Sequence, residues 1–493
     1  MNLLSPFVMW VRAHAAVIAL LLSLFAFYGL FLAHKIDLTT ADLGRHIKNG
    51  EIMFQDTGVL STNFYSYTHT DFPVLNHHWA SGAFFYAAYK LGGFPMVQLF
   101  FIALSFAAFA AFLLSARGRA RWGIIGFAAL LAIPLLGERT EIRPEVWSYL
   151  FSGIFFLILS HYKNTRTLWY LLLIEVLWVN THIYFLLGPL LIGAFLVEAL
   201  IQKRTEVLRL LSIFGTTLAA TLVNPFGWRV VAETLTIFQD FGYRLAENQS
   251  VWFLRALGAR DLNFWFFQLA LALLAFSFLM LFLKNRRGFR LAHFFIACGI
   301  GTLAVLAVRN FALFVLFFIP LFSENIQQIF KEKMGGEALA AAAAWSAAAA
   351  LLFFVLFGFQ RAFPYWRTFG IGLERGNSAA ADFLREHNIA GPYFNNYDIG
   401  GYLIFHLFPR EKVFVDNRPE AYPAEFFQNE YIPMQENADK WNETFARYRF
   451  NAIVFSHRDA TPWGQAFLRA RVEDPLWTRA FVDDRVIIFT RRP

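Results

Sequence analysis

The sequence contains little charge and almost no cysteine. Charged residues make up 16% of the 493 positions and hydrophobic residues 57%, a composition that excludes most soluble globular proteins. Cys298 is the one cysteine, so an intrachain disulfide and a cysteine-rich zinc site are both excluded. The sequence has no Walker loop and no paired glycine-rich loop after a predicted strand. A nucleotide-binding domain of the P-loop or Rossmann type is therefore not indicated.

Long apolar runs are abundant instead. Phenylalanine alone occurs 60 times, and the mean hydropathy is +0.46. Because roughly 20 apolar residues suffice to cross a bilayer as a helix, the sequence predicts a polytopic α-helical membrane protein whose first span is an uncleaved helix rather than a signal peptide. About eleven spans are predicted, at 13–34, 94–115, 122–137, 145–160, 167–180, 183–201, 207–223, 262–283, 291–307, 311–323 and 337–359.

The basic residues predict the orientation of these spans. The net charge is +8, but Lys and Arg are concentrated in every second loop, for example in KNRRGFR at 284–290. This distribution is the positive-inside signal rather than a nucleic-acid-binding stripe, so no nucleic-acid partner is expected. The remaining segments are predicted to face outward together: 35–93, 138–145, 180–182, 224–261, 308–310 and everything after about 360.

The character of the chain changes near Gly376. GNSAAADFLREH is typical of a capped helix, and GPYFNN, KVFVDN, AIVFSH and RVIIFT are predicted as strands. We therefore predict a transmembrane domain at 1–360, with a large first outer loop at 35–93, and a small extracytoplasmic α/β domain at 376–493.

The first outer loop carries the most informative motif, DLGRHIKNG at 42–50. On a helix, Asp42, Arg45 and His46 share one face through their i, i+3 and i+4 spacing. A carboxylate at a membrane face can act as a general base when burial and neighbouring charges tune it. The alternative is a juxtamembrane amphipathic helix whose charges meet lipid headgroups.

Further along the same loop, LNHHW supplies His77 and His78. Together with Asp42 or His46 they are candidate ligands for a divalent metal, the only cofactor that the residues leave open. The alternative is a set of interfacial polar residues beside Trp79 in an aromatic belt.

Several charged and amide side chains lie at the predicted outer ends of other spans. Arg139, Arg143 and Glu145 belong to the turn ERTEIRPE, where arginine suits a phosphate through bidentate hydrogen bonds; the alternative is a salt-bridged turn. Other candidates are Asn180, His182 and Arg309, together with Asp416 and Arg418 in the C-terminal domain. For Arg309 the alternative is snorkelling to the interface, and for Asp416 and Arg418 it is a structural ion pair.

The motifs taken together resemble a known superfamily. D-L-G-R-H-I-x-N-G at 42–50 and N-H-x-W at 76–79 resemble the first outer loop of the GT-C integral-membrane glycosyltransferases, which use lipid-phosphate-linked sugars. The more similar group is the bacterial members related to the protein-mannosyltransferase and lipid A aminoarabinose transferase families. The remaining similar motifs are R-P-E-x-W-S-Y-L at 143–150, N-x-H at 180–182, N-P-F-G at 224–227 and N-N-Y-D-x-G-G-Y-L at 395–403.

The resemblance implies roles for the candidate residues. Asp42 matches the acidic residue that activates the acceptor or helps to bind a metal or the donor phosphate, with His46 as its orienting partner or an alternate base. Many relatives show two acidic residues close together there, whereas this chain has Thr40 and Ala41 before Asp42. The implied phosphate ligands are Arg143, Arg309 and Arg139. The implied acceptor or pocket residues are Arg45, His78, Glu145, His182, Asn180, Asp416 and Arg418.

The function that the resemblance implies is inverting transfer of a sugar from a polyprenyl-phosphate-linked donor. The acceptor is a lipid, a glycan or a protein, and the reaction takes place at the outer face of a bacterial inner membrane. The sequence leaves two alternatives open: a transporter or flippase of lipid-linked sugars, and a non-catalytic scaffold descended from such enzymes.

Overall fold

The structure is a computed structural model that describes residues 4–162, 164–236, 239–330, 336–357 and 368–492. Lys163, the predicted basic turn at 331–333 and the predicted domain boundary at 360 lie outside the described residues. The helices are α1 (Leu4–Leu32), α2 (Leu43–Ile52), α3 (Trp79–Ala116), α4 (Trp122–Leu136), α5 (Glu145–His161), α6 (Tyr170–Thr181), α7 (Leu187–Ile201), α8 (Val207–Ala220), α9 (Trp228–Thr236), α10 (Val251–Ala256), α11 (Leu262–Lys284), α12 (Leu291–Leu306), α13 (Phe311–Phe330), α14 (Gly336–Phe357), α15 (Ala379–Glu386), α16 (Gly400–Leu407), α17 (Ala424–Phe426), α18 (Pro433–Glu436), α19 (Ala438–Tyr448) and α20 (Pro462–Glu473). The strands are β1 (Tyr393–Asn395), β2 (Ala452–Ser456), β3 (Trp477–Val482) and β4 (Val486–Arg491).

Every predicted span coincides with an apolar helix: α1, α3 to α8 and α11 to α14. The prediction of a polytopic helical fold with a small C-terminal sheet is therefore confirmed. Six stretches are long and apolar enough to cross a membrane on their own: His14–Leu32, Trp79–Ala116, Ile183–Ile201, Leu262–Lys284, Val308–Phe330 and Ala338–Leu356. The other apolar helices are shorter, so helix length alone does not fix the number of spans.

Helix α3 begins well before the predicted span at 94. It starts at Trp79 and bends at Gly92 and Gly93, where Gly93 takes a φ of +63° that few side chains tolerate. The first outer segment therefore ends in helix rather than in loop. The part of α3 that precedes the bend packs against α2.

Helix α2 is held against this part of α3 by close backbone contacts. A Cβ atom built on Gly50 would lie 2.1 Å from the carbonyl oxygen of Gly82 in α3. On the other side, a Cβ on Gly44 would lie 2.9 Å from the carbonyl oxygen of Gly401 in α16. Because only glycine permits both approaches, α2 is fixed between the helix bundle and the C-terminal segment. Its first turn, which carries the DLGRH motif, is fixed with it.

The C-terminal segment is built on a four-stranded sheet with the order β1-β2-β4-β3. Strands β1 and β2 are parallel, and the other two pairings are antiparallel. The predicted strand KVFVDN is wrong, because side chains take up two of its backbone N–H groups and Val413 makes only an isolated bridge, with Ser66. Phe414 N–H donates to Asn395 Oδ1, and Asp416 N–H donates to Tyr422 Oη. Strand β3, which pattern reasoning did not predict, completes the sheet edge.

The two ends of the helix bundle differ in chemistry. At one end, charged side chains from the basic loops pair with buried glutamates, as in Arg119 with Glu324 at 3.4 Å and Arg290 with Glu198 at 3.6 Å. At the other end lie α2, the C-terminal segment and the cavity described next. The segments predicted to face outward are thus brought together at one end, while the side of the membrane that this end faces stays a prediction.

Candidate functional site

A cavity of about 150 Å³ lies where α2, the ends of the apolar helices and the C-terminal segment meet. Each of the six segments predicted to face outward contributes to its lining. Its charged and histidine residues are Asp42, Arg45, His46, His77, His78, Arg143, Glu145, His182, Glu233, Glu247, Arg309, Arg418 and Glu420. Most of the side chains singled out in the sequence are thus gathered around one volume.

Asp42 stands at the start of α2 and is held by an asparagine from the C-terminal segment. Asn417 Nδ2 donates a hydrogen bond to Asp42 Oδ1, and Asn417 Oδ1 accepts one from Arg45 Nε at 3.3 Å. Arg45 Nη2 lies 4.0 Å from Asp42 Oδ2. One amide therefore fixes the carboxylate and the guanidinium relative to each other. Among the described residues no hydrogen bond joins the side chains of His46 and Asp42, whose link is the backbone bond from His46 N–H to the Asp42 carbonyl oxygen at 3.1 Å. The side chain that holds the Asp42 carboxylate is that of Asn417.

The Asp42 carboxyl is more basic than an ordinary aspartate. Burial raises its pKa, and this effect exceeds the opposing effect of the charges on Arg143 and Arg45. The side chain still keeps 24% of its surface exposed. Asp42 therefore combines access to the cavity with a raised affinity for a proton.

A cluster of arginines and glutamates forms another part of the lining, around the start of α5. Arg139 pairs closely with Glu145 and, at 2.7 Å, with Glu247. Arg143 lies 2.9 Å from Glu247 and 2.7 Å from Glu141. The arginines predicted as phosphate ligands in this turn are thus already ion-paired, as the alternative of a salt-bridged turn described.

Arg309 is held more loosely than these two arginines. It precedes α13, and its Nη1 donates to Asn248 Oδ1 at 2.8 Å. Its nearest carboxylate, on Glu145, is 3.7 Å away, and its Nε is buried without a hydrogen-bond partner. Among the arginines of this cluster, Arg309 is the one that can accept an anionic ligand with the least disturbance of existing pairs.

Four histidines line the cavity beside Asp42. The rings of His78 and His182 stack at 5.1 Å, and the ring of His46 meets that of His78 edge-on at 5.7 Å. Burial lowers the pKa of His46 and of His78 well below the usual value, and neighbouring positive groups lower both further. These two rings are therefore neutral near pH 7. His77 differs, because its Nδ1 lies 3.4 Å from Glu233 Oε1.

The proposed metal ligands do not form a metal site. Asp42, His77 and His78 all line the cavity, but within the described ranges no group of three or more His, Cys, Asp or Glu side chains is arranged to hold a metal ion. Asp42 is bonded to Asn417 and His77 faces Glu233. Since these residues do not fit a metal, the chemistry of the site is assigned to its side chains alone.

Three candidates from the sequence lie outside the cavity lining. Arg139 acts from behind it through Glu145 and Glu247. Asn180 joins helix ends, accepting from Trp79 Nε1 at 3.0 Å. Asp416 is fully buried in a bidentate pair with Arg418, at 2.8 and 2.6 Å. This is the structural pair offered as the alternative, although Arg418 itself also lines the cavity.

Sequence reasoning did not propose Glu233, Glu247 or Asn417 for the site, although all three line the cavity. Glu247 lies in a long polar segment with no periodic pattern, so no local signal marks it. Asn417 lies between Asp416 and Arg418 in the sequence, and its place within that charged pair was the available signal.

An apolar groove runs along the helix bundle. It lies between α7 and α12, has a volume of about 560 Å³, and is lined by Leu187, Leu191, Phe214, Ile296, Ile300 and Leu303. At one end, Asn310 Nδ2 donates to the carbonyl oxygen of Leu303 at 2.8 Å. Since Asn310 adjoins Arg309, this end of the groove lies beside the loosely held arginine.

Comparison with solved structures identifies the fold of the chain. No family model matches the sequence, and no curated protein matches it. Among solved structures, oligosaccharyltransferase AglB from Archaeoglobus fulgidus, in complex with an inhibitory peptide and a dolichol-phosphate, covers 93% of this chain and 71% of its own, at 14% identity and a TM-score of 0.56. ArnT from Cupriavidus metallidurans, bound to undecaprenyl phosphate, covers 97% of both chains at 15% identity and a TM-score of 0.51.

Both neighbours are membrane glycosyltransferases of the GT-C type. The chain therefore has the GT-C fold, and the resemblance drawn from its motifs is confirmed at the level of fold. At 14% and 15% identity the likeness carries no substrate or residue role to this chain.

Proposed function

We propose that the protein is a membrane glycosyltransferase that moves a sugar from a polyprenyl-phosphate-linked donor to a hydroxyl group of a lipid, glycan or protein acceptor. The observation that supports this best is that Asp42 and Arg309 line one cavity of a GT-C fold, with an apolar groove starting beside Arg309. We also propose that the cavity faces the outer side of a bacterial inner membrane, as the distribution of basic loops predicts.

The donor occupies the groove and the cavity together in this proposal. The prenyl chain lies between α7 and α12, where apolar side chains line the groove. Its phosphate meets Arg309, whose guanidinium has no carboxylate closer than 3.7 Å. Arg139 and Arg143 hold Glu145 and Glu247 in place behind it. The activated sugar then projects into the cavity toward Asp42.

The transfer step follows from these positions. The acceptor oxygen attacks the anomeric carbon as its proton passes to Asp42, whose raised pKa suits it as a general base. The bond between the anomeric carbon and the phosphate oxygen breaks, and its electron pair leaves with the polyprenyl phosphate. Arg309 stabilises the charge that develops on that phosphate. In-line attack inverts the anomeric centre.

Deleting the protein from its host tests the proposed activity. We expect mass spectrometry of the host's glycans, glycolipids and glycoproteins to reveal a product shorter by one sugar, restored by the wild-type chain and not by the Asp42→Asn variant. A complete set of products in the deletion strain would contradict the proposal.

Transport of lipid-linked sugars is the competing function. Glu198, one of two acidic residues within the apolar runs, is paired with Arg204 and Arg290 at the bundle end away from the cavity. This pairing gives it a structural role and leaves Glu175 as the acidic residue within an apolar run that a transport path could use. Vesicles loaded with labelled donor distinguish the two functions, because movement of label without a new glycosidic bond indicates transport.

The acid limb of the pH–rate profile is expected to depend on Asn417. Transfer requires Asp42 without its proton, so activity falls as the pH drops through its raised pKa. In Asn417→Asp a second carboxylate adjoins Asp42 and raises that pKa further, which moves the acid limb of kcat/KM upward by about one pH unit or more. Asn437→Asp, an exposed helix cap, is the matched control. An unmoved acid limb in Asn417→Asp would remove Asp42 as the titrating base.

A further inference from the structure

Part of the cavity lining carries polar groups that the steps above do not use. These groups are His46, Asn76, His78 and Glu420, here called the hydroxyl wall. His46 and Asn76 are almost fully buried, with 2% and 9% of their surface exposed. The atoms His46 Nδ1, Asn76 Nδ2 and His78 Nε2 have no hydrogen-bond partner in the part of the chain that the structure describes. Buried polar atoms without partners are rare in native proteins, so a cluster of them along one cavity is a place where water or a polar ligand supplies the missing hydrogen bonds.

Three of the four side chains of the hydroxyl wall offer hydrogen bonds without charge, and Glu420 is its one carboxyl group. The imidazoles of His46 and His78 are neutral, since burial and adjacent positive groups hold their pKa low. A neutral imidazole has one donor and one acceptor nitrogen, and a primary amide has both kinds of group. Glu420 adds an acceptor and has no ion-pair partner within 4.0 Å among the described residues. Such a mixture matches hydroxyl groups, which also donate and accept.

The surrounding charges disfavour a charged sugar. An ammonium beside Glu420 would also meet the charges of Arg45 and Arg418 and the protonatable His77, all of which act on that carboxyl. A carboxylate on the sugar would share the cavity with the carboxyl groups of Asp42 and Glu420. The other glutamates of the cavity are engaged, Glu145 and Glu247 with arginines and Glu233 with His77.

We propose that the hydroxyl wall is the sugar subsite of the cavity and that it takes a neutral, hydroxyl-bearing ring. This inference rests on the proposed function, because it assigns the sugar of the donor whose phosphate lies at Arg309. The wall is distinct from the arginine cluster: it reads the ring, while Arg309 holds the phosphate. The residues that decide specificity are then His46, Asn76 and Glu420.

Binding of short donor analogues to the purified full-length protein in nanodiscs tests the subsite. The probes are farnesyl phosphate and its esters with glucose, glucosamine and glucuronic acid. We expect the glucose ester to bind about tenfold or more tighter than farnesyl phosphate, as two or more hydrogen bonds to buried groups allow. We expect His46→Phe and Asn76→Leu each to remove most of this difference while binding farnesyl phosphate within about twofold of wild type.

The two proposals fail in different ways in this experiment. If the wild-type protein binds none of the four probes, the assignment of a lipid-phosphate donor is contradicted, and the proposed function with it. Tight binding of farnesyl phosphate with no gain from glucose overturns the subsite alone, as does tighter binding of a charged ester. Unchanged farnesyl phosphate binding also shows that each variant is folded. His387→Phe, which changes an exposed histidine outside the cavity lining, is the matched control and should bind all four probes like wild type.

Discussion

Replacing Asp42 by asparagine is expected to lower sugar transfer at least about 100-fold, the usual range for loss of a general base. The amide has the shape of the carboxyl group but cannot take the acceptor's proton. Its oxygen can still accept the hydrogen bond from Asn417, so the position of α2 and the remainder of the cavity should be preserved. Initial rates with the donor identified in the host, measured at saturating donor, check this expectation.

Two controls make the Asp42 result interpretable. Asp71→Asn changes an exposed aspartate in the same outer segment and should retain wild-type rates. Binding of farnesyl phosphate to Asp42→Asn should also persist, because the arginine cluster is untouched. Near-normal turnover in Asp42→Asn would show that another group accepts the proton, and His46 would then be the first to examine.

The largest loss of stability is expected from Asp416→Ala. Asp416 is fully buried, and its carboxylate holds both Nε and Nη2 of Arg418, which also donates to Asn63. Removing the carboxylate leaves a guanidinium with 5% of its surface exposed and no carboxylate within 4.0 Å among the described residues. Breaking such a buried pair typically costs about 3–5 kcal/mol in the free energy of unfolding. Urea unfolding of the purified protein in detergent measures the loss.

An exposed ion pair provides the comparison for Asp416. Asp382 and Arg385 pair on α15, with 42% and 45% of their side chains exposed, and Asp382→Ala should cost at most about 1 kcal/mol. The double variant Asp416→Leu with Arg418→Met should recover much of the lost stability, since an apolar pair needs no counter-charge. Equal losses in Asp416→Ala and Asp382→Ala would contradict a structural role for the buried pair.

The residues near Asp42 illustrate what local pattern could predict. The i, i+3 and i+4 spacing placed Asp42, Arg45 and His46 on one helical face, and all three line the cavity. Helix geometry acts within a few residues, so such a prediction needs no knowledge of distant segments. The partner of Asp42 could not be predicted in this way, because Asn417 lies 375 positions away.

The phosphate ligands show the limit of the same reasoning. Arginine type and position suggested Arg139, Arg143 and Arg309 as equivalent candidates. The structure separates them, because Glu247 pairs closely with the first two and Arg309 keeps only a long contact to Glu145. Which cation is available depends on which carboxylate is nearby, and that is a property of packing.

The sequence by itself determined the membrane class, the approximate positions of the apolar helices and the division into basic and polar loops. These features follow from hydrophobicity and local periodicity, which depend on neighbouring residues alone. Only the tertiary structure decided that six distant segments form one cavity, that Asn417 holds Asp42 and that Asp416 is a structural residue. Contacts of this kind depend on how α2 packs between α3 and α16, where glycines let the backbones approach closely. No short stretch of sequence contains both sides of such an interface.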